Sequence, residues 1–481
     1  MKPEGDLMAQ RNEEWSQAPF YAGAALLAGA FLLGGSSKDY VFSLLILRPM
    51  AVVALAVGLH SLTHADWRRF RLPLSLMAAF LGLIALHLIP LPPSLWMALP
   101  GRELAIAAGE AAGIEQPWRP ISLVPYRGWN TFFAALVPAA VMVCAVQLRR
   151  EQHRALVWMV LFAALANAVW AVVQSVSGYA PSTFFFGVPR VEAPGGLFAN
   201  RNHLAAMLVA SLPLLTLIAS SGKGARNAVI PTACAAFGAF AVMVTLTTGS
   251  RAGMAMAIVT LAASGLIWRA RAKGRQTRHR PRAKQRWLPF VVSVFGVILL
   301  AIFAVILTRT TSFERVLNAG SREVEEHRLL VWQTIVDFAP SYMPFGSGIG
   351  SFVEVFKVHE PSAMLGQSYW NHAHNDWLEW AMEGGVPALI LMAIAALGWA
   401  ARAFTLLRNS HDGGIDLQRA LSGAIILLIL GLWSLVDYPL RTPALASLAA
   451  VCAVWMAAPI HSAPARARSR SGHRFKERSD T

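Results

Sequence analysis

About twelve apolar stretches follow one another along this chain, each roughly 17 to 25 residues long and so able to carry a helix across about 30 Å of hydrocarbon. They begin near Pro19, Val41, Leu72, Gly128, Ala155, His203, Ala228, Ala252, Trp287, Trp377, Ala420 and Pro443. Only 14% of the 481 residues are charged and 56% are hydrophobic, against about 25% charged in an ordinary soluble domain, which excludes a soluble enzyme. Helices satisfy their own backbone in lipid, so the chain reads as an all-α polytopic membrane protein. The segment before Pro19 mixes acids and bases without a small-residue cleavage site, so the first helix is expected to stay as an anchor.

The net charge of +16 suits either nucleic acid or an anionic membrane surface. With the amino terminus in the cytoplasm and sides alternating, Lys and Arg concentrate on the cytoplasmic side, as the positive-inside rule requires. The densest block, Arg269 to Arg286, reads as a topology determinant against the inner leaflet rather than a nucleic-acid site, and the stretch from Arg466 to Arg478 reads the same way. This gives a cytoplasmic segment over 1–18 and helices 1–9 over 19–308, with an outer loop near 93–127. A large outer loop over 309–375, helices 10–12 over 376–460 and a basic cytoplasmic tail over 461–481 follow. Within the large loop Ser321 is placed to N-cap a helix carrying Glu323 and Glu325 in its first turn. Leu329, Trp332 and Val336 share a face of that helix, predicting a small helical cap. Cys144, Cys234 and Cys452 lie in apolar runs without disulfide or zinc spacing.

Four motifs fall on the outer side. In Leu197-Phe-Ala-Asn-Arg-Asn-His-Leu204, Asn200 or Asn202 can cap the following helix, setting Arg201 at its amino end, where exposed N–H groups and a guanidinium suit a phosphate. The bland alternative is an arginine snorkelling to headgroups. Thr247-Thr-Gly-Ser-Arg-Ala-Gly253 holds Arg251 in a second tight turn, and two such turns on one face could clamp both halves of a diphosphate. Trp370-Asn-His-Ala-His-Asn-Asp-Trp-Leu-Glu-Trp380 starts a helix with a capping-box-like Asp376 and Glu379. His372 and His374 are not needed for that cap; no third ligand supports a metal, leaving a general base or a packing role. Phe345-Gly-Ser-Gly-Ile-Gly-Ser-Phe352 lacks a P-loop ending and reads as a turn packing the loop against the membrane.

Together LFANRNHLAAM, TTGSRAG, the Arg328 to Trp332 segment with PFGSGIGSF, and HAHNDWLEWAMEGGVPAL resemble, in that order, the bacterial O-antigen ligase and O-antigen polymerase superfamily. The resemblance implies about twelve transmembrane helices in the bacterial inner membrane, with a long, partly helical periplasmic loop between helices 9 and 10. It implies a glycosyltransferase facing the periplasm; a diphosphate leaving group stabilised by fixed guanidinium groups needs no metal or other cofactor, and a single displacement would invert the anomeric centre. The transferase's donor is an undecaprenyl-diphosphate-linked glycan, and its acceptor is either lipid A core or another lipid-linked repeat unit. Arg201 and Arg251 match the family's diphosphate-binding arginines, Arg328 a further loop arginine, and His374 the base. Asn375 and Asp376 are candidates to orient the His374 ring, with Asn200 and Asn202 in support.

A polytopic transporter or flippase of lipid-linked sugars is the rival. Transporters often carry two related halves, and no internal repeat is visible. Charges at membrane depth are sparse; Arg48, followed by Pro49, is expected at the outer edge of a helix starting there.

Overall fold

The computed structural model describes residues 17–187, 193–221, 229–276, 320–366, 369–408 and 414–460. The chain opens with α1 (Ala18–Leu33), α2 (Leu44–Ser61) and α3 (Arg71–Leu86). A two-stranded ladder of β1 (Pro90–Leu91) and β2 (Arg119–Pro120) then encloses α4 (Glu103–Ala111). There follow α5 (Pro125–Ala145), α6 (Arg150–Val176), α7 (Arg201–Ser221), α8 (Val229–Thr247) and α9 (Arg251–Gln276). The last group is α10 (Gly320–Phe338), α11 (Phe352–His359), α12 (Asp376–Arg408), α13 (Ile415–Trp433) and α14 (Pro443–Ala457).

Eight of the described helices are long and apolar enough to cross a membrane, and α1, α3 and α14 are shorter apolar helices. The fold is that of an all-α polytopic membrane protein. The expected stretch from Trp287, most of the basic block ending at Arg286, and the tail over 461–481 lie outside the described residues. The sequence of α7 is apolar on every side, as befits a helix surrounded by others; 89% of its apolar window is buried, against α6, α8, α9 and α13. Conversely α12 leaves Leu389, Ile390, Ile394 and Leu397 exposed, a face for lipid.

At 16, 16 and 15 residues, α1, α3 and α14 reach about 24 Å at ~1.5 Å per residue, less than the hydropathy pattern implies. Two of them stop where irregular backbone is paired with the rest of the protein. Past the end of α1, Gly34 O accepts from Ala444 N at 3.1 Å and Gly35 O accepts from Ala199 N at 3.0 Å. Past α3, His87 O accepts from Ser122 N at 2.9 Å. Non-helical backbone at such depth is tolerated when protein satisfies it.

The described part of the large loop, from 320 onward, is partly helical, with two corrections to its expected details. The helix α10 starts at Gly320, so Ser321 is its second residue rather than its N-cap. Its buried face is Val331, Ile335 and Phe338, packed with Tyr342, Phe352 and Phe356; of the expected face Trp332 is half-buried against this cluster, whereas Leu329 and Val336 are exposed. Both sets obey helical spacing, and only the neighbours α11 and α12 decide between them. Arg48 also departs from expectation: α2 begins at Leu44, placing Arg48 inside the helix, where its Nη2 donates to Asn130 Oδ1 of α5 at 2.8 Å. Cys144 and Cys452 are buried in the main core as free thiols.

The two long loops interlock. Leu123 N donates to Ser347 O at 3.0 Å, and Ile349 N donates to His87 Nδ1 at 3.3 Å. Burial, reinforced by the Arg102 charge, lowers His87 to about 4, so this ring is a neutral acceptor. At Gly348, φ is +101° and a Cβ would collide with Ser122 Cα; only glycine lets the backbones approach so closely.

Candidate active site

The helix α12 is broken one loop-width from the site. Gly385 has φ 59° and ψ −150°, a non-helical conformation, and Pro387 has no N–H to offer Glu383 O four residues earlier. The glycine-rich turn repairs the gap: Ser347 N donates to Met382 O at 3.1 Å, Gly348 N to Glu383 O at 2.9 Å, and Val386 N to Pro344 O at 2.8 Å. The turn therefore packs against α12 and the 122–128 segment, and it fixes the angle at which the first turns of α12 meet the cap.

Just before α12, His374 adopts φ 52°, a left-handed conformation that non-glycine residues adopt only when their surroundings hold them there. Its peptide neighbours supply that hold. Ala373 N donates to Glu379 Oε2 at 2.8 Å, and Trp332 Nε1 of α10 donates to Ala373 O at 2.8 Å. Asn375 caps α12 by accepting from Leu378 N at 3.1 Å. The expected capping role of Asp376 thus falls to Asn375.

The His374 ring is oriented by a residue outside all four sequence motifs. Its Nδ1 lies 3.0 Å from Asp437 Oδ1, in the link between α13 and α14. Neither Asn375 nor Asp376 orients the ring, because Asn375 is engaged as the cap and Asp376 accepts from Arg441 Nε at 3.0 Å and Ser434 Oγ at 3.1 Å. The other carboxylate oxygen, Asp437 Oδ2, accepts from Asn202 Nδ2 at 2.6 Å and Asn200 Nδ2 at 3.4 Å. Burial alone would raise the Asp437 pKa, but the bond and charge of His374, with His203 and Arg328 nearby, hold it well below the usual carboxylate range. Being ionised, Asp437 can only accept, so Nδ1 donates and the lone pair sits on Nε2. Burial takes His374 below the ordinary histidine value against the opposing pull of Asp437, and the ring is neutral at neutral pH.

Tyr438 stands between the histidines. Its ring centroid is 4.8 Å from that of His374, 4.4 Å from His372 and 5.0 Å from His203, while its hydroxyl bonds Asn371 and Asn200. His372 Nδ1 in turn lies 2.9 Å from Glu379 Oε1. Beneath it Arg441 is buried among three carboxylates, Asp376 at 3.0 Å, Glu379 at 3.2 Å and Glu383 at 3.5 Å. These neutralise the guanidinium and keep it protonated despite burial.

The arginine motifs meet on this side. Asn200 Oδ1 accepts from Asn202 N at 2.9 Å, capping α7 so that Arg201 is its first residue. Arg201 Nη1 donates to Thr248 O at 3.1 Å, tying the first motif to the second. There Ser250 Oγ accepts from Gly253 N at 3.0 Å, which makes Arg251 the first residue of α9. The two helix amino ends, with their exposed N–H groups and partial positive charge, lie side by side. Arg328 of α10 is close enough to influence the titration of His374, Asp437 and Tyr438, and its Nε is buried without a hydrogen-bond partner. The structure thus gathers Asn200, Asn202, His374 and Arg328 around Asp437, and the Arg201 bond to Thr248 O ties that group to the turn that leads into Arg251. Asn375 and Asp376 serve the helix start and the Arg441 cluster.

What sequence reasoning missed is the short link Ser434-Leu-Val-Asp-Tyr-Pro-Leu-Arg-Thr442. The available signal was an acid, a phenol and an arginine packed into one short connection between two apolar stretches.

Residues 234–393 match the family model described as O-antigen ligase. That segment holds Arg251, Arg328 and His374, while Arg201 and Asp437 lie on either side of it. No curated protein matches the chain.

Proposed function

On the premise that residues 234–393 carry the O-antigen ligase family's segment, we propose that the protein is a membrane glycan transferase. It moves a saccharide from undecaprenyl diphosphate to an acceptor hydroxyl on the periplasmic face of the bacterial inner membrane, as an O-antigen ligase or polymerase. The observation that carries this reading is the chain of contacts Asn202–Asp437–His374, which puts an oriented imidazole beside the helix start that bears Arg201.

In the reaction His374 Nε2 takes the proton of the acceptor hydroxyl as its oxygen attacks the anomeric carbon. The carbon–oxygen bond to the diphosphate breaks, and the electron pair leaves on the diphosphate oxygen. Arg201, Arg251 and the α7 and α9 amino ends stabilise the growing negative charge, with Arg328 in support, and such fixed guanidinium groups can replace a divalent ion. Asp437 stays ionised and offsets the imidazolium charge. A single displacement inverts the anomeric centre.

The test is glycan transfer by the purified full chain in detergent with EDTA. An undecaprenyl diphosphate oligosaccharide serves as donor, with lipid A core or a second donor molecule offered separately. Transfer to core identifies a ligase and chain extension a polymerase, each with loss of activity in His374→Ala, Arg201→Ala and Arg251→Ala. Folded protein that glycosylates neither acceptor but moves labelled donor across proteoliposomes is a flippase, and the transferase reading falls.

A further inference from the structure

Behind the wall formed by His372, a second space opens. It is a cavity of about 430 Å³. Its polar end carries Lys38, Arg48 and Asn130 beside the carboxylates of Asp39, Glu379 and Glu383, and its apolar walls include Phe80 of α3, Met142 of α5 and Ala450 of α14. His374, Arg201, Arg251 and Arg328 do not border it, so it is not the space served by the two arginine turns.

The charges around the cavity are unequally satisfied. Arg127 pairs with Asp39 and Glu354, each at 3.3 Å, and Arg441 is enclosed by its three carboxylates. Among the described residues no carboxylate lies within 4.0 Å of Arg48; Asp39, on the same cavity, acts on its charge from further away and is paired with Arg127. Arg48 Nη2 donates to Asn130 at 2.8 Å, and its Nε is buried without a hydrogen-bond partner. Held by one amide, by the face of the Phe133 ring at 5.9 Å and by the field of an Asp39 carboxylate already paired with Arg127, this partly buried guanidinium is incompletely satisfied beside apolar walls. An anion would complete it, but a free anion has no use for the apolar walls and a hydrocarbon none for the arginine. A lipid bearing a phosphate matches both ends. Along one flank Phe80 of α3 meets Trp380 of α12 with ring centroids 4.8 Å apart, on the helix whose outer face is open to lipid.

The geometry points to this cavity as the seat of a second phosphate-bearing lipid, the acceptor, whose phosphate binds Arg48 and whose chain lies among Phe80, Met142 and Ala450. The assignment as acceptor rests on the transferase reading, and both acceptors named there are lipids that carry phosphate. His372 lies on this cavity's wall and His374 on the other side of Tyr438, so one aromatic ring separates an acceptor seated here from the proposed base.

The test uses the full chain in lipid nanodiscs, a photoactivatable phosphatidic acid and its uncharged diacylglycerol counterpart, with labelled peptides mapped by mass spectrometry. Phosphatidic acid is expected to label peptides containing Phe80 or Met142. Arg48→Gln should reduce that labelling about tenfold, the scale of one charge-assisted contact. Arg48→Lys should retain most of it, as a check on folding, and Arg201→Ala should leave it intact. In the transfer assay Arg48→Gln should raise the acceptor KM about tenfold and leave the donor KM unchanged. Equal labelling by the uncharged lipid, undiminished labelling of Arg48→Gln, or displacement by inorganic phosphate would overturn the proposal. Arg48-dependent labelling in a protein that transfers no glycan would keep the lipid site and remove the transferase reading. Glycan transfer without such labelling would do the reverse.

Discussion

Asn202 Nδ2 sits 2.6 Å from Asp437 Oδ2, a contact between the amino end of α7 and a link 235 residues further along the chain. It connects the turn that bears Arg201 to the His374 ring, because Asp437's other oxygen holds His374. In the proposed reaction the leaving-group side and the base therefore share one carboxylate.

Asp437→Asn tests that carboxylate directly. The amide keeps the shape but can offer Nδ1 a donor, which turns the imidazole to the unproductive tautomer. We expect kcat to fall by about 10²–10⁴, with donor KM changed far less. Single-turnover transfer measurements on folded variant protein check this, and a loss under tenfold would mean the base is not held by Asp437.

The pH dependence follows from the direction of the His374 shift. Its pKa lies below the ordinary histidine value of about 6.5 because burial disfavours the imidazolium. The neutral, proton-accepting form is thus complete at lower pH than for a free histidine. The rising limb of kcat/KM should have its midpoint below about 6.5. In Asp437→Asn the residual activity should show a midpoint lower still, since the charge that favoured imidazolium is gone. A midpoint above that of free histidine would contradict the assignment.

Arg201→Ala removes a donor from the leaving group while sparing the base. A loss of roughly 10²–10³ in kcat is expected, the scale of one preorganised charge stabiliser. Because Arg201 Nη1 also bonds Thr248 O, Arg201→Lys should recover little, having no planar fork to serve both partners. Steady-state kinetics with donor varied at saturating acceptor separate the two variants.

Arg441→Met should fail by a different route. It leaves Asp376, Glu379 and Glu383 buried together without their cation, and breaking such a pair costs roughly 3–5 kcal/mol. Thermal unfolding in detergent should show a large loss of stability, whereas Asp437→Asn should unfold near the wild type. If Arg441→Met is as stable as the wild type and merely inactive, Arg441 belongs to the reaction rather than to the frame.

Hydropathy made the membrane architecture legible because burial in lipid demands long apolar runs, and Arg201 and Arg251 were legible because cap residues and glycine mark helix starts. Asp437 was not, since a carboxylate in a short link looks solvated until its buried partners are known. The buried face of α10 was likewise open: Leu329 and Val336 fit the helical period as well as Val331 and Ile335 do, and the choice is made by α11 and α12. Helix lengths at α1 and α3 were overread because hydropathy does not register backbone leaving the helix to bond elsewhere.

The closeness of Gly348 to Ser122 has an evolutionary side. Two loops separated by more than two hundred positions are keyed together, so neither can be exchanged alone. A chimaera receiving only the large loop from a relative with different specificity should misassemble, and one receiving both loops as a matched set should fold. Divergence of substrate preference in such proteins would then proceed by paired replacement rather than by drift in a single loop.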